Sequence, residues 1–196
     1  SYYFRVRASK KFKSKHLVKN PEKVDSNIRA TDYENLDSLP SAISYRKLDI
    51  ILDQLNKPKK AMNQVFKPFR GEYDFIFVDC PPNMTLVSEN IFLAADTLLV
   101  PTIPTTLSVL TFDTLIEFFE KKRLDTKKIY PFFSMVESRK NMHKTIMEEY
   151  TQTENNRFLN TVIPYSAIIE KMGIHREPVV CYSSASKAAR AYEALW

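Results

Sequence analysis

From Ile28 onward, short apolar runs alternate with amphipathic stretches. Residues 35–39 (NLDSL) stop at Pro40 and predict a strand. Between 44 and 55, Leu48, Ile51, Leu52 and Leu55 recur at helical spacing, with Ser44 placed as a cap and Pro58 beyond the end. A second helix is predicted over 60–69, disturbed by Pro68 and stopping near Gly71. The clearest strand is 73–79 (YDFIFVD), in which Phe75 to Val78 are apolar on both faces, as a buried parallel strand requires. Helices are expected over 85–95, 108–121, 140–150 and 184–196, and strands over 97–101, 130–136 and 158–163. In the second of those helices Leu110, Leu115 and Phe118 or Phe119 are expected to face inward. Strands alternating with helices of this length predict βαβ units, hence an α/β fold with a mostly parallel sheet flanked by helices. Ligands of such sheets sit beyond the carboxyl ends of the strands. That rule selects Asp79, residues 102–105, residues 134–137, and Pro164 with Tyr165.

Charge divides the chain unevenly. Residues 1–23 carry eight Lys and Arg against Glu22 alone, a local +7 in a chain of net charge +6, so the remainder nets −1. The basic stretch suits phosphates of nucleic acid or lipid, and equally a solvated connector. On this pattern residues 1–27 form a basic amino-terminal segment and 28–196 the folded domain. Cys80 and Cys181 lie far apart and His16, His143 and His175 form no ligand spacing, so neither a disulfide framework nor a zinc motif is expected. No apolar run approaches the roughly 20 residues that cross a bilayer, and a cytoplasmic setting is the simplest expectation. Glycine changes the picture most, because Gly71 and Gly173 are the only two in the chain. A loop that wraps phosphates needs glycines to turn several N–H groups inward, and neither GxxxxGK[ST] nor GxGxxG is present.

An apolar strand ending in an acid, Phe75 to Asp79, is the Walker B arrangement, where a carboxylate holds a magnesium-bound water beside a nucleotide phosphate. The same aspartate also reads as a helix cap or turn residue. Pro81 and Pro82 stiffen the path that follows. Cys80 reads as a strand-end thiol, and no GxSxG or HExxH is present.

Residues 73–82 (YDFIFVDCPP), Ser88-Glu89-Asn90, Ala94-Ala95-Asp96 and 98–101 (LLVP) resemble the ParA/MinD-type (Soj-like) deviant Walker A partitioning ATPases. The resemblance continues through 161–164 (TVIP), Gly173, Glu177-Pro178-Val179 and 186–192 (SKAARAY), and covers most of 28–196 in matching order. It implies a P-loop NTPase-like fold of the SIMIBI class. It makes Asp79 the Walker B acid, holding magnesium through water, and Cys80, Pro81, Pro82 and Asn83 the start of a switch region. Ser134 with Met135, and Pro164 with Tyr165, would flank the adenine of ATP. Ser134 also reads as a strand-ending hydroxyl and Pro164 as a strand terminator.

The family begins with a strand, a phosphate loop carrying two lysines, and a helix. No such unit is found here, and Lys10, Lys11 and Lys13 have no glycine loop to present them. Without that first strand–loop–helix unit, neighbouring strand edges and apolar faces are expected to be exposed. The intact family member is expected to bind Mg·ATP and dimerise, to associate non-specifically with DNA at the nucleoid, and to answer a ParB-like activating protein. This chain alone is then expected to be inactive. Arg139, Lys140 and Lys144 are candidates for DNA phosphates, and equally a solvated helix face. A non-catalytic partner-binding module with the same fold is the second reading. A membrane-associated relative is disfavoured, because 189–196 carries only Arg190 as a cation.

Overall fold

Residues 2–152 and 157–196 are described by the computed structural model, and contacts divide the chain after Ala95 into units 1–95 and 96–196.

The first unit is built on four helices, α1 (Ser14–Lys19), α2 (Leu48–Asp53), α3 (Ala61–Phe66) and α4 (Leu86–Ala94). Leu52, fully buried, anchors α2 against a core that includes Leu17 and Val18 of α1, Val65 of α3 and Ile91 of α4. Phe12 and Val24, from the basic stretch, are buried in the same core. The segment read as a 44–55 helix starts as a 3-10 turn, Ile43–Lys47, before α2, and Ser44 does not cap it. Its hydroxyl instead accepts the Ser14 N–H, 3.1 Å away, tying α1 to the turn. The second expected helix likewise divides, α3 giving way to a 3-10 turn at Lys67–Gly71 where Pro68 removes a donor. Asp49 of α2 accepts the Val87 N–H at 2.9 Å and so caps α4 from a neighbouring element. The strand expected at 35–39 is reduced to β2 (Asp37–Ser38), antiparallel to β1 (Arg29–Ala30). Tyr73 donates its hydroxyl to Asp37 at 2.8 Å, and that bond, with partial burial, pushes its pKa up to about 12.

The strand expected over 73–79 is not formed. Residues 75–80 join no sheet ladder, and Phe75 and Phe77 are 64% and 69% exposed. The composition suits a buried strand, but a strand needs a partner edge, and β1 and β2 pair only with each other.

The second unit holds the parallel pair. β3 (Leu98–Thr102) and β4 (Ile129–Phe133) run side by side in the register Leu98↔Ile129 to Thr102↔Phe133. They are joined through α5 (Thr106–Lys121), which makes a βαβ unit. α5 buries Val109, Phe112 and Phe119, while Leu110, expected inward, is exposed. The stripe is one residue away from the expected one, because Val109-Leu110 offers two apolar choices and packing on the sheet selects the first. α6 (Asn141–Gln152) follows β4.

Residues 158–163, expected as a strand, follow β4 through separate bonds without forming a ladder. Leu159 donates to Pro131 C=O at 2.8 Å and Ile163 to Phe133 C=O at 2.9 Å. Pro131 has no N–H to continue a regular pattern. Phe158 closes the core: it stacks on Phe133 at 4.3 Å and meets Phe112 and Tyr150 edge-on at 5.3 and 5.8 Å. The chain ends in short helices α7 (Ala167–Glu170), α8 (Met172–His175) and α9 (Val179–Tyr182), then α10 (Lys187–Leu195). Val179, Ala188 and Ala189 pack together there, and Ser186 caps α10 by accepting the Ala189 N–H at 3.1 Å. Among the described residues, no helix is long and apolar enough to cross a membrane.

Candidate functional site

The strand ends of the second unit converge through backbone bonds. At the end of β3, Thr102 is buried and its C=O accepts the Ser134 N–H at 3.0 Å, which carries the parallel pairing one residue past β4. Beyond β3 the chain turns sharply, with Ile103 N–H donating to the Ser108 hydroxyl of α5 at 3.0 Å. Past Ser134, Met135 takes φ 55°, in the left-handed region that a non-glycine residue enters at a cost of order 1–3 kcal/mol. Val136 is then held on both sides: its N–H donates to Ile163 C=O at 3.1 Å, and its C=O accepts from Tyr165 N–H at 2.9 Å. Val136 and Pro164 thus form a parallel bridge. Four of the residues selected in the sequence, Ser134, Met135, Pro164 and Tyr165, are therefore brought to one place.

Met135 and Tyr165 are about half exposed there, and Ser134 and Pro164 are half-buried. Tyr165 donates its hydroxyl to Glu170 of α7 at 2.8 Å, and this carboxylate contact raises the phenol pKa above its ordinary value. A thioether, a proline ring and a tied-down phenol offer apolar surface to a planar ring, with the Ser134 hydroxyl as donor or acceptor. Two open hollows of about 430 and 410 Å³ in this unit meet around Arg157 and Phe158 and include none of these four residues.

Of the basic candidates on the following turn, Arg139, Lys140 and Lys144 are all exposed. Lys140 pairs with Glu137 at 2.5 Å, which offsets part of its charge. Sequence reading attached no role to His143. It is 2% exposed at the start of α6, and its Nδ1 accepts the Glu137 N–H at 3.1 Å. The available signal was its place three residues before buried Ile146, on the inner face of α6.

Asp79, Pro81, Pro82 and Asn83 lie exposed in the first unit, in the segment between residue 75 and α4. Cys80 is half-buried, and desolvation, with the neighbouring Asp79 charge, pushes its pKa up to about 11 from an ordinary value of 9.0. Two pH units cut the thiolate fraction about a hundredfold at pH 8. The more basic thiolate is also the better nucleophile, so in a Cys181→Ser variant Cys80 should react with iodoacetamide about ten times more slowly than an unperturbed thiol. A rate matching a free thiol would show that the segment leaves Cys80 in water.

A magnesium nucleotide makes two demands. Magnesium keeps most of its waters and needs only a carboxylate or two beside the phosphates, which Asp79 satisfies in kind. Phosphates need a nest of N–H groups, and neither Gly71 nor Gly173 adopts a positive φ. Among the described residues, Asp79 is the kind of group that magnesium takes, and no glycine stands at positive φ to turn N–H groups toward phosphates.

Comparison with known proteins gives a family and a fold. A family model described as AAA domain matches residues 5–132. The chain is 25% identical over 183 residues to the sporulation initiation inhibitor protein Soj of Bacillus subtilis (strain 168), covering 90% of this chain and 71% of that protein. The structure is similar to the septum site-determining protein MinD of Pyrococcus horikoshii complexed with Mg-ADP. That match has a TM-score of 0.73 and 22% identity over 98% of this chain and 74% of the other. It is also similar to a plasmid partition protein of Borrelia burgdorferi, with a TM-score of 0.70 and 21% identity over 93% and 69% of the two chains. The α/β fold expected from the alternating pattern, P-loop NTPase-like as the resemblance implied, is the fold these structures share.

Proposed function

Since the chain belongs to the AAA domain family, whose model spans residues 5–132, we propose that it is the body of a ParA-type partitioning ATPase. Ser134, Met135, Pro164 and Tyr165 take the adenine ring, and Asp79 takes a magnesium-bound water. Cys80, Pro81, Pro82 and Asn83 form the segment that responds to nucleotide. The phosphate nest is supplied by residues outside these 196, so hydrolysis, ATP-dependent dimerisation, non-specific DNA binding through Arg139, Lys140 and Lys144, and activation by a ParB-like partner belong to the protein that carries it. ATP bound there supplies the free energy of the switch. No step of its hydrolysis is assigned to residues of this chain beyond the positioning of water and magnesium by Asp79.

The observation that carries this reading is the Val136–Pro164 bridge, which joins two strand-end segments far apart in sequence. Titrating the isotope-labelled chain with millimolar adenosine tests it. Amide shifts should concentrate on Ser134, Met135, Val136 and Tyr165. Shifts absent from these residues, or centred on other segments, would remove the base site. A non-catalytic binding module remains the second reading, favoured by the chain's having only two glycines.

A further inference from the structure

We propose that His143 is a positioning residue for the base site, fixing the left-handed Met135 turn through its Nδ1. The inference rests on the reading of residues 134–137 as the base-side loop.

A buried imidazole keeps a polar atom out of water and needs a partner for it. His143 finds one in the backbone of the loop, since Nδ1 accepts the Glu137 N–H at 3.1 Å. An acceptor at Nδ1 carries no proton, so the hydrogen of the neutral ring is on Nε2. The bond completes a series. The N–H groups of Ser134, Val136 and Glu137 go to Thr102 C=O, Ile163 C=O and His143 Nδ1 in turn. Met135 sits inside that series at φ 55°. A non-glycine residue stays left-handed only where its surroundings over-determine it. Two of the three ties are backbone to backbone and come with the strands. The third is a side chain on α6, and it is the tie that a point substitution can remove.

A buried spacer and a positioning acceptor are separated by shape against chemistry. His143→Leu fills comparable volume with no acceptor. In His143→Asn the side-chain oxygen falls where Nδ1 was, at the same number of bonds from the backbone. Glu137 amide exchange in the ligand-free chain should speed up by about tenfold or more in His143→Leu, and stay near wild type in His143→Asn. Adenosine-induced shifts at Ser134 and Met135 should weaken about tenfold in His143→Leu and be rescued in His143→Asn. Ring ¹⁵N shifts of the wild-type chain should show an unprotonated Nδ1, a readout that survives even if a variant fails to fold.

Unchanged exchange and unchanged adenosine response in His143→Leu, or an Nδ1–H tautomer in the wild type, would overturn the assignment. Wild-type chain that ignores adenosine would instead overturn the base-site reading, while Glu137 exchange still decides whether His143 holds the loop.

Discussion

Phe158→Ala should lower the unfolding free energy of the second unit by about 3–5 kcal/mol. Phe158 is buried and touches three other rings, at 4.3 Å to Phe133, 5.3 Å to Phe112 and 5.8 Å to Tyr150. Those rings come from β4, α5 and α6, so one side chain joins the strand pair to the two longest helices of its unit. Removing it forfeits the transfer energy of the ring and leaves a cavity that three stiff aromatics cannot collapse into. The lost aromatic pairs, each a fraction of a kilocalorie up to about 1.5 kcal/mol, are contained in that figure. Denaturant unfolding followed by circular dichroism measures the loss. A loss under about 1 kcal/mol would show that Phe158 is peripheral.

Phe75→Lys combined with Phe77→Lys should convert a self-associating chain into a dispersed one. The two rings are 64% and 69% exposed, and Ile76 and Val78 beside them are also exposed. Monomeric proteins rarely display contiguous apolar patches of this kind, and burying a phenylalanine side chain contributes about 1.5–3 kcal/mol. Two such rings weaken self-association about a hundredfold or more when replaced by charges. Sedimentation velocity over a concentration series measures this. Wild-type chain that is monomeric at high concentration, or a double variant that associates equally, would show that the segment does not drive association.

What the sequence disclosed depended on how local the cause was. Helices α5, α6 and α10 carry amphipathic periods, α4 is a largely apolar stretch, and β3 and β4 are apolar runs flanked by helices, so each was readable within its own residues. Residues 75–78 carry the same local signal as a buried strand, yet a ladder is a non-local object and the segment joins none. Ser44 stands where a cap belongs, but its hydroxyl goes to Ser14, 30 residues away. The charge-based boundary after residue 27 carried no information about Phe12, Leu17, Val18 and Val24, which are buried core residues among lysines.

That Ser134, Met135, Pro164 and Tyr165 lie together was legible because strand ends are predictable. His143 was not, because a buried histidine and a surface one are the same letter. Several residues that carried the family resemblance have structural work to do. Ser88 and Asn90 are fully buried in α4, Glu89 is paired with Lys59 at 2.8 Å, and Ser186 caps α10. Such residues identify the fold well and say little about its chemistry.

The decisive measurement is the affinity of this chain for Mg·ATP relative to adenosine, by calorimetry, with turnover followed in the same samples. If base and magnesium sides are present and the phosphate nest is elsewhere, the two ligands should bind within about threefold of each other, weakly, with no ATP turnover. Mg·ATP bound about a hundredfold or more tighter than adenosine, or hydrolysed, would mean that residues of this chain hold the phosphates, and the division proposed here would be wrong.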